Sequence, residues 1–283
     1  MIGLRVALLV VGLLTAATSA RAQDRVTRPA RGLRYLRRVV RLGPRSTTVH
    51  ALYVDLCDPA IELRATAPEE RGRTPATWAR RVGATAAING DYFDMGRAAL
   101  PTGPARGAGR AWPAGRREHH DAVFVAAPGG RVAVLDAREG SAPALWSDVD
   151  RAVPTTWTEL VAVRERVLVH GVVRESPAIT RHDDRHPRTA LGLTADGHTL
   201  ILVVVEGRSE RASGATAREL GQILLGLGAW EGMKLDGGGS SAMYIARAGT
   251  VNRPSDGAPR AVASHLGVVV RGDVRAPPRC AVR

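Results

Sequence analysis

The sequence predicts an α+β fold, a mixed β-sheet core with flanking helices in a single domain, and three observations carry that reading. Short runs of apolar and β-branched residues bounded by Gly, Pro and Asp recur along the chain, as strands do. One segment, 216–227, has the period of an amphipathic helix and a capping signal. It lies between two apolar strands, and a strand–helix–strand order sets up a parallel crossover.

The elements follow in order. Residues 1–22 form an export signal: Arg5 precedes the apolar run Val6 to Leu14, and Ala20-Arg21-Ala22 carries small residues at the spacing a signal peptidase reads. Cleavage after Ala22 leaves 283 − 22 = 261 residues, a length that one large domain accommodates. A basic segment, 23–46, alternates arginines with Leu33, Tyr35 and Val39 and reads as a first strand with a solvated basic face. The main domain is assigned to 47–272 and a C-terminal tail to 273–283.

Within that domain Thr47 to Leu56 and Ile61 to Thr66 read as strands, and Thr74 with Pro75 opens a short helix. Ala84 to Asn89 is a buried strand that ends in INGDYFD, Ile88 to Asp94, where polar groups emerge as the apolar run stops. From Met95 to His120 glycine, proline and arginine recur without a period, which predicts a long surface loop. Asp121 to Ala126 and Arg131 to Asp136 make a hairpin across Pro128-Gly129-Gly130, and further strands occupy Leu160 to Val173. Thr189 to Leu193 and Thr199 to Glu206 bracket the turn Ala195-Asp196-Gly197; the second is apolar enough to lie centrally. Thr216 and Glu219 then form a capping box, Leu220, Ile223, Leu224 and Leu227 share a face, and Gly228 ends the helix. Met233, Lys234 and Leu235 lead into a glycine turn. A parallel crossover here brings Glu206 and Asp236 to the same sheet edge.

Composition narrows the partners. The formal charge of +13 becomes 13 − 2 = +11 once Arg5 and Arg21 leave, and all but Lys234 of the positive charge is arginine. With few aromatics and an export signal, nucleic acid is a poor partner and an anionic glycan or envelope surface a better one. No stretch reaches the length of a membrane helix, so no stable membrane insertion is expected, and the protein is expected to be secreted or periplasmic. Two cysteines, Cys57 and Cys280, suit one bridge in an oxidising compartment, with two unpaired thiols as the alternative.

The chemistry concentrates in KLDGGGSSAMY, Lys234 to Tyr244. Three consecutive glycines are costly to order, and they let backbone amides approach a ligand while Asp236, Ser240 and Ser241 supply a carboxylate and hydroxyls. The run lacks the G-x-S-x-G elbow of serine hydrolases and the lysine of a phosphate-binding P-loop. His182, Asp183, Asp184 and His186 crowd into HDDRH, which reads first as a solvated polar loop and second as ligands for a divalent ion. His119 and His120 fall in the predicted loop. No cofactor is predicted, a divalent metal is left open, and the oligomeric state is not specified.

INGDYFD, HPRTALGL from His186 to Leu193, the run from Val203 to Ser241, and NRPSDGAPR from Asn252 to Arg260 follow one another in the order seen in phosphodiester glycosidases. Over about His50 to Val270 the chain resembles that family, to which the lysosomal "uncovering enzyme", N-acetylglucosamine-1-phosphodiester α-N-acetylglucosaminidase, and its bacterial homologues belong. The resemblance implies a single catalytic domain that cleaves between a sugar's anomeric carbon and a phosphodiester. Asp91 stands where many relatives have glycine, Glu206 where aspartate is usual, Lys234 where a small or amide residue is common, and Pro259 where an acid is frequent.

A glycosyl phosphate carries a good leaving group, so its hydrolysis asks for cations and amides around phosphate and a carboxylate at the anomeric centre. Asp236 is the leading catalytic carboxylate, with Glu206 or Asp91 as partner. Arg188, Arg208 or Arg260 takes the phosphate, and Asn89, Gly237, Gly238, Ser240, Ser241 and Asn252 complete the substrate site. Lys234 could hold a phosphate; the plainer alternative is that it points to solvent, that Glu206 and Asp236 brace glycine turns, and that Asn89 caps its strand. A carboxylate gap of about 5 Å would mean retention, and about 6.5 to 9.5 Å inversion. The competing function is a non-catalytic anionic-glycan-binding protein of the envelope or of exopolysaccharide assembly.

Overall fold

The strand Thr199–Val205, TLILVVV, runs through the middle of the molecule. Side chains of a strand alternate between faces, and here Leu200, Leu202 and Val204 enter one apolar cluster while Ile201, Val203 and Val205 enter another. Both faces are therefore buried, as its uninterrupted apolar run implies. A computed structural model describes residues 24–95, 99–113, 120–136, 149–175, 184–272 and 274–280. The proposed signal, residues 1–22, and the residues His119, His182 and Asp183 lie outside them.

Thr199–Val205 belongs to an eight-stranded sheet in the order 25–27, 33–42, 45–55, 199–205, 188–193, 231–234, 165–169 and 172–173. One face is covered by helix Ala217–Gly226, through Leu220 and Leu224. The other packs on two five-stranded sheets, one containing Ala122–Ala127 and Glu159–Val163, the other Ala86–Asn89 and His265–Val270. Helix Pro75–Val82, capped by Thr74 at its start and by left-handed Gly83 at its end, seals the outer face of the last sheet with Trp78.

This corrects the predicted fold class. Among the described residues every ladder between named strands is antiparallel, and only two helices exceed four residues, so the fold is predominantly β rather than α+β with flanking helices. The physical reason is the covering of the central sheet: one of its faces is sealed by sheets, where the sequence reading supplied helices. The predicted surface loop from Met95 to His120 is also corrected. Short strands Ala105–Gly107 and Arg110–Ala111 extend a five-stranded sheet, and the Arg106 guanidinium is buried against the carbonyls of Val149, Val153, Pro154 and Trp157. Strands of two or three residues have no readable period.

The crossover holds in a modified form. Thr199–Val205 and Glu231–Lys234 flank Arg188–Leu193, and each runs antiparallel to it. They therefore point the same way, and Glu206 and Asp236 leave the sheet at one edge.

Cys57 and Cys280 are bonded, with Cα atoms 5.1 Å apart across 223 residues of sequence. Arg279 reinforces this closure by donating to the carbonyls of Ile61 and Pro59 at 3.0 and 2.9 Å. Cross-linking a loop of that length removes about 5 kcal/mol of unfolded-chain entropy before any strain. Reduction, or the Cys57→Ser/Cys280→Ser variant, is expected to lower stability by about 2 to 5 kcal/mol in urea denaturation, and the denatured native protein is expected to show no titratable thiol.

Candidate active site

The glycine turn is stitched to two sheets by its backbone. Asp236 donates its N–H to the Gly90 carbonyl at 3.1 Å, Leu235 to Thr189 at 3.0 Å and Gly238 to Pro187 at 2.9 Å. Asn89, fully buried, clasps the same turn: its amide donates to the Asp236 carbonyl at 2.8 Å while its oxygen accepts from the Thr189 hydroxyl and the Ala242 N–H. Asn252 does likewise behind it, bonding Met243 N–H and the Ser241 carbonyl. Gly238 has φ of 58°, which favours glycine, and a Cβ on Gly239 would displace the side-chain ends of Asp256 and Arg260.

This turn floors a cavity of about 260 Å³ lined by Tyr92, His186, Arg188, Arg208, Asp236, Gly237, Gly238, Gly239 and Arg260. Arg188 is anchored through Nε to the Ala215 carbonyl at 2.8 Å and through a terminal nitrogen to Asp184 at 2.9 Å. Arg208 stands in the left-handed region with φ of 58°, a strained conformation of the kind that collects at functional sites, and its guanidinium lies over Gly238. Neither arginine meets a carboxylate among the described residues. Arg260 is held by Asp256 at 2.5 and 3.1 Å and reaches the Ser240 hydroxyl at 3.4 Å.

Asp236 is the one carboxylate among the described lining residues. Burial pushes its pKa up to about 6; the hydrogen bonds from Ser240 and the Gly237 N–H oppose that rise, the Asp91 charge adds to it, and Arg260 opposes it. Tyr92 is raised as well, first by burial and then by the Asp236 charge, so its phenol remains a donor. Burial, then Arg188 and Arg208, depress His186 and keep the ring neutral near pH 7.

The other predicted site residues are second-layer supports of the turn or of its neighbours. Glu206 accepts from His50 Nε2 at 2.9 Å and from the Arg253 N–H at 2.8 Å, so it pins the start of the segment carrying Arg260. Burial raises its pKa, but the bonds from His50 and Arg253 outweigh that and lower it. Asp91 is buried against His120. Ser240 and Ser241 are buried beneath the turn. Lys234 neither holds the pocket nor points to solvent: it is fully buried and paired with Glu165 at 2.6 Å.

Tyr92 was not selected from the sequence, although it lies inside INGDYFD, where attention went to the carboxylate; His186 was named there only as a possible metal ligand in HDDRH and not as part of a substrate site. Of the metal reading, Asp184 gives its carbonyl to Arg188. Among the described residues the one group with ligand spacing is Cys57, His198 and Cys280, whose sulfurs form the disulfide. A larger cavity, about 560 Å³, opens beside it at the opposite end of the sheet. There Arg31 is held by Asp58 and Arg34 lies on the Tyr53 ring, so those charges are engaged.

Compared with known proteins, residues 82–269 match the phosphodiester glycosidase family model. Over 84 residues the chain is 42% identical to the SPbeta prophage-derived uncharacterized protein YomE of Bacillus subtilis strain 168, a match spanning 30% of this chain and 13% of that protein. The zebrafish N-acetylglucosamine-1-phosphodiester α-N-acetylglucosaminidase catalytic domain, auto-inhibited by its pro-peptide, superposes with TM-score 0.69 at 18% identity over 88% of each chain. A hypothetical protein from Synechocystis gives TM-score 0.63 at 16% identity over 88% of this chain and 64% of that one. A putative exported protein from Burkholderia pseudomallei K96243 gives 0.54 at 17% identity over 79% and 74%. At these identities the structural likeness is one of fold.

Because Asp236 titrates above its ordinary value of 3.8, its ionisation costs the folded state. That cost grows between pH about 4 and 6 and is constant above. Asp236→Asn is expected to be more stable than the native protein by on the order of 2 kcal/mol at pH 8 and equal to it below pH about 4, as read by thermal melts across that range.

Proposed function

The chain belongs to the phosphodiester glycosidase family, and from that premise we propose that it is an exported hydrolase that cleaves the sugar–phosphate bond of a glycosyl-1-phosphodiester. The observation that carries this reading is the meeting of one carboxylate with three guanidinium groups above the glycine turn in a single cavity. Such a cavity suits an anionic group beside an electrophilic carbon. The disulfide supports an oxidising compartment.

In this reading Arg188 and Arg208 receive the phosphate oxygens, since both present guanidinium surface to the cavity without a carboxylate partner among the described residues. Arg260, held by Asp256, lines the same cavity and assists them. The anomeric C–O bond breaks with its electron pair going to the phosphate oxygen, where the guanidinium charges oppose its build-up. Water supplies the oxygen that reaches the anomeric carbon, one proton remains on the released sugar hydroxyl, and the other ends on the phosphomonoester. Asp236 faces the anomeric centre in its ionised form. A phosphate leaving group needs little protonation, which accords with a cavity lined by one carboxylate rather than two. Tyr92 and the neutral His186 supply hydrogen bonds to the sugar or its phosphate.

The test is release of free reducing sugar from a panel of hexose and N-acetylhexosamine 1-phosphodiesters. Turnover is expected with kcat/KM rising through pH about 6 to a plateau, because Asp236 acts as carboxylate. Asp236→Asn is expected to lower kcat by about 10³-fold or more, and Arg188→Ala or Arg208→Ala to lower kcat/KM by about 10- to 100-fold. The configuration of the first-formed sugar, read by NMR, separates attack by Asp236 itself (retention) from activation of water (inversion). Absence of release across the panel, with retained binding of an anionic glycan, would replace this reading with the binding protein.

A further inference from the structure

Behind the cavity floor lies a pair of ionisable side chains that the proposed reaction does not use. Asp91 and His120 are each 2% exposed, and His120 Nε2 lies 2.9 and 3.0 Å from the two Asp91 carboxylate oxygens. The Gly103 N–H donates to the same carboxylate at 2.9 Å, and the Asp91 N–H is tied to the Ser264 hydroxyl at 3.1 Å. Gly103 has no room for a side chain here: a Cβ would stand 2.8 Å from both Asp91 and His120. A buried carboxylate with this many partners is a built feature, since an unpaired one would be expensive.

Its neighbours in sequence both belong to the site. Gly90 accepts the Asp236 N–H through its carbonyl, and Tyr92, tied by its own carbonyl to the Thr102 N–H at 2.8 Å, turns its ring into the cavity. We propose that Asp91 and His120 form a buried ion pair that sets the charge felt by Asp236 and holds Tyr92 in the cavity wall, making His120 a positioning residue of this site. The proposal rests on the reading of Asp236 as the working carboxylate. The Asp91 charge acts to keep Asp236 protonated, and a proton on His120, 2.9 Å from that carboxylate, would offset it.

Other charges also face Asp236. Arg260, with Asp256 attached, lines the cavity with Asp236, as do Tyr92, Arg188, Arg208 and His186; Lys234, two residues earlier in the chain, is paired with Glu165. None of these is altered by changes at 91 or 120.

The experiment is a substrate-free NMR titration of the carboxyl-¹³C resonance of Asp236 in the full exported chain, assigned by its loss in Asp236→Asn. Asp91→Asn removes the negative charge and is expected to lower the midpoint by about 0.5 unit or more. His120→Gln keeps an N–H donor but removes the cation, and is expected to raise the midpoint by about 0.3 unit or more. Midpoints within about 0.2 unit of the native value in both variants, or shifts of the same sign, would overturn the proposal. Circular dichroism melts establish that each variant is folded, and His120→Gln alone decides if Asp91→Asn is not. No turnover is involved, so failure of sugar release and failure of this pair are separate results.

Discussion

One buried carboxamide holds the site together. Asn89 sits fully buried at the end of a strand in one sheet, yet its side chain bonds Thr189 in the central sheet and both ends of the glycine turn. A buried amide must satisfy its donors and acceptor or forfeit stability, and here it does so only when the two sheets and the turn are in register. The position of Asp236 over the cavity follows from that requirement. A polar group that looks like a ligand in the sequence thereby serves as the joint between layers.

Burial and hydrogen bonding compete at the cavity floor, and burial prevails. Three arginines line the cavity, yet the Asp236 carboxyl titrates near 6 because most of its surroundings are protein. Glu206, not far away in sequence order and also part-buried, goes the other way since His50 and a backbone N–H serve its charged form directly. Two carboxylates at one sheet edge are pushed apart in affinity for protons by what touches them. In the proposed reading, this divergence leaves the chemistry to Asp236 and the bracing to Glu206.

Much of this was legible in residue order. The capping box of Thr216 and Glu219 forms as its spacing requires, the strand TLILVVV is central, and the glycine turn floors a cavity with Asp236 in it. Fold class was misread because an apolar strand says that both faces are covered without saying by what. The stretch Met95 to His120 was opaque because its strands have two or three residues each and its buried groups, Arg106 and His120, are types normally found outside. Whether Glu206 meets substrate or a backbone amide depended on His50, 156 residues distant in the chain, and no local pattern encodes such a partner.

The Cys57–Cys280 bond makes the polypeptide between them a covalent ring. The ring contains Tyr92, His186, Arg188, Arg208, Asp236 and Arg260, which line the cavity, together with Asn89 and Asp91 behind them. A single break in the backbone anywhere along it would leave two polypeptides still joined through the disulfide rather than two free fragments. The halves of the cavity would remain tethered at high effective concentration, able to find one another again. Such closure guards the assembly of the parts rather than the integrity of the chain.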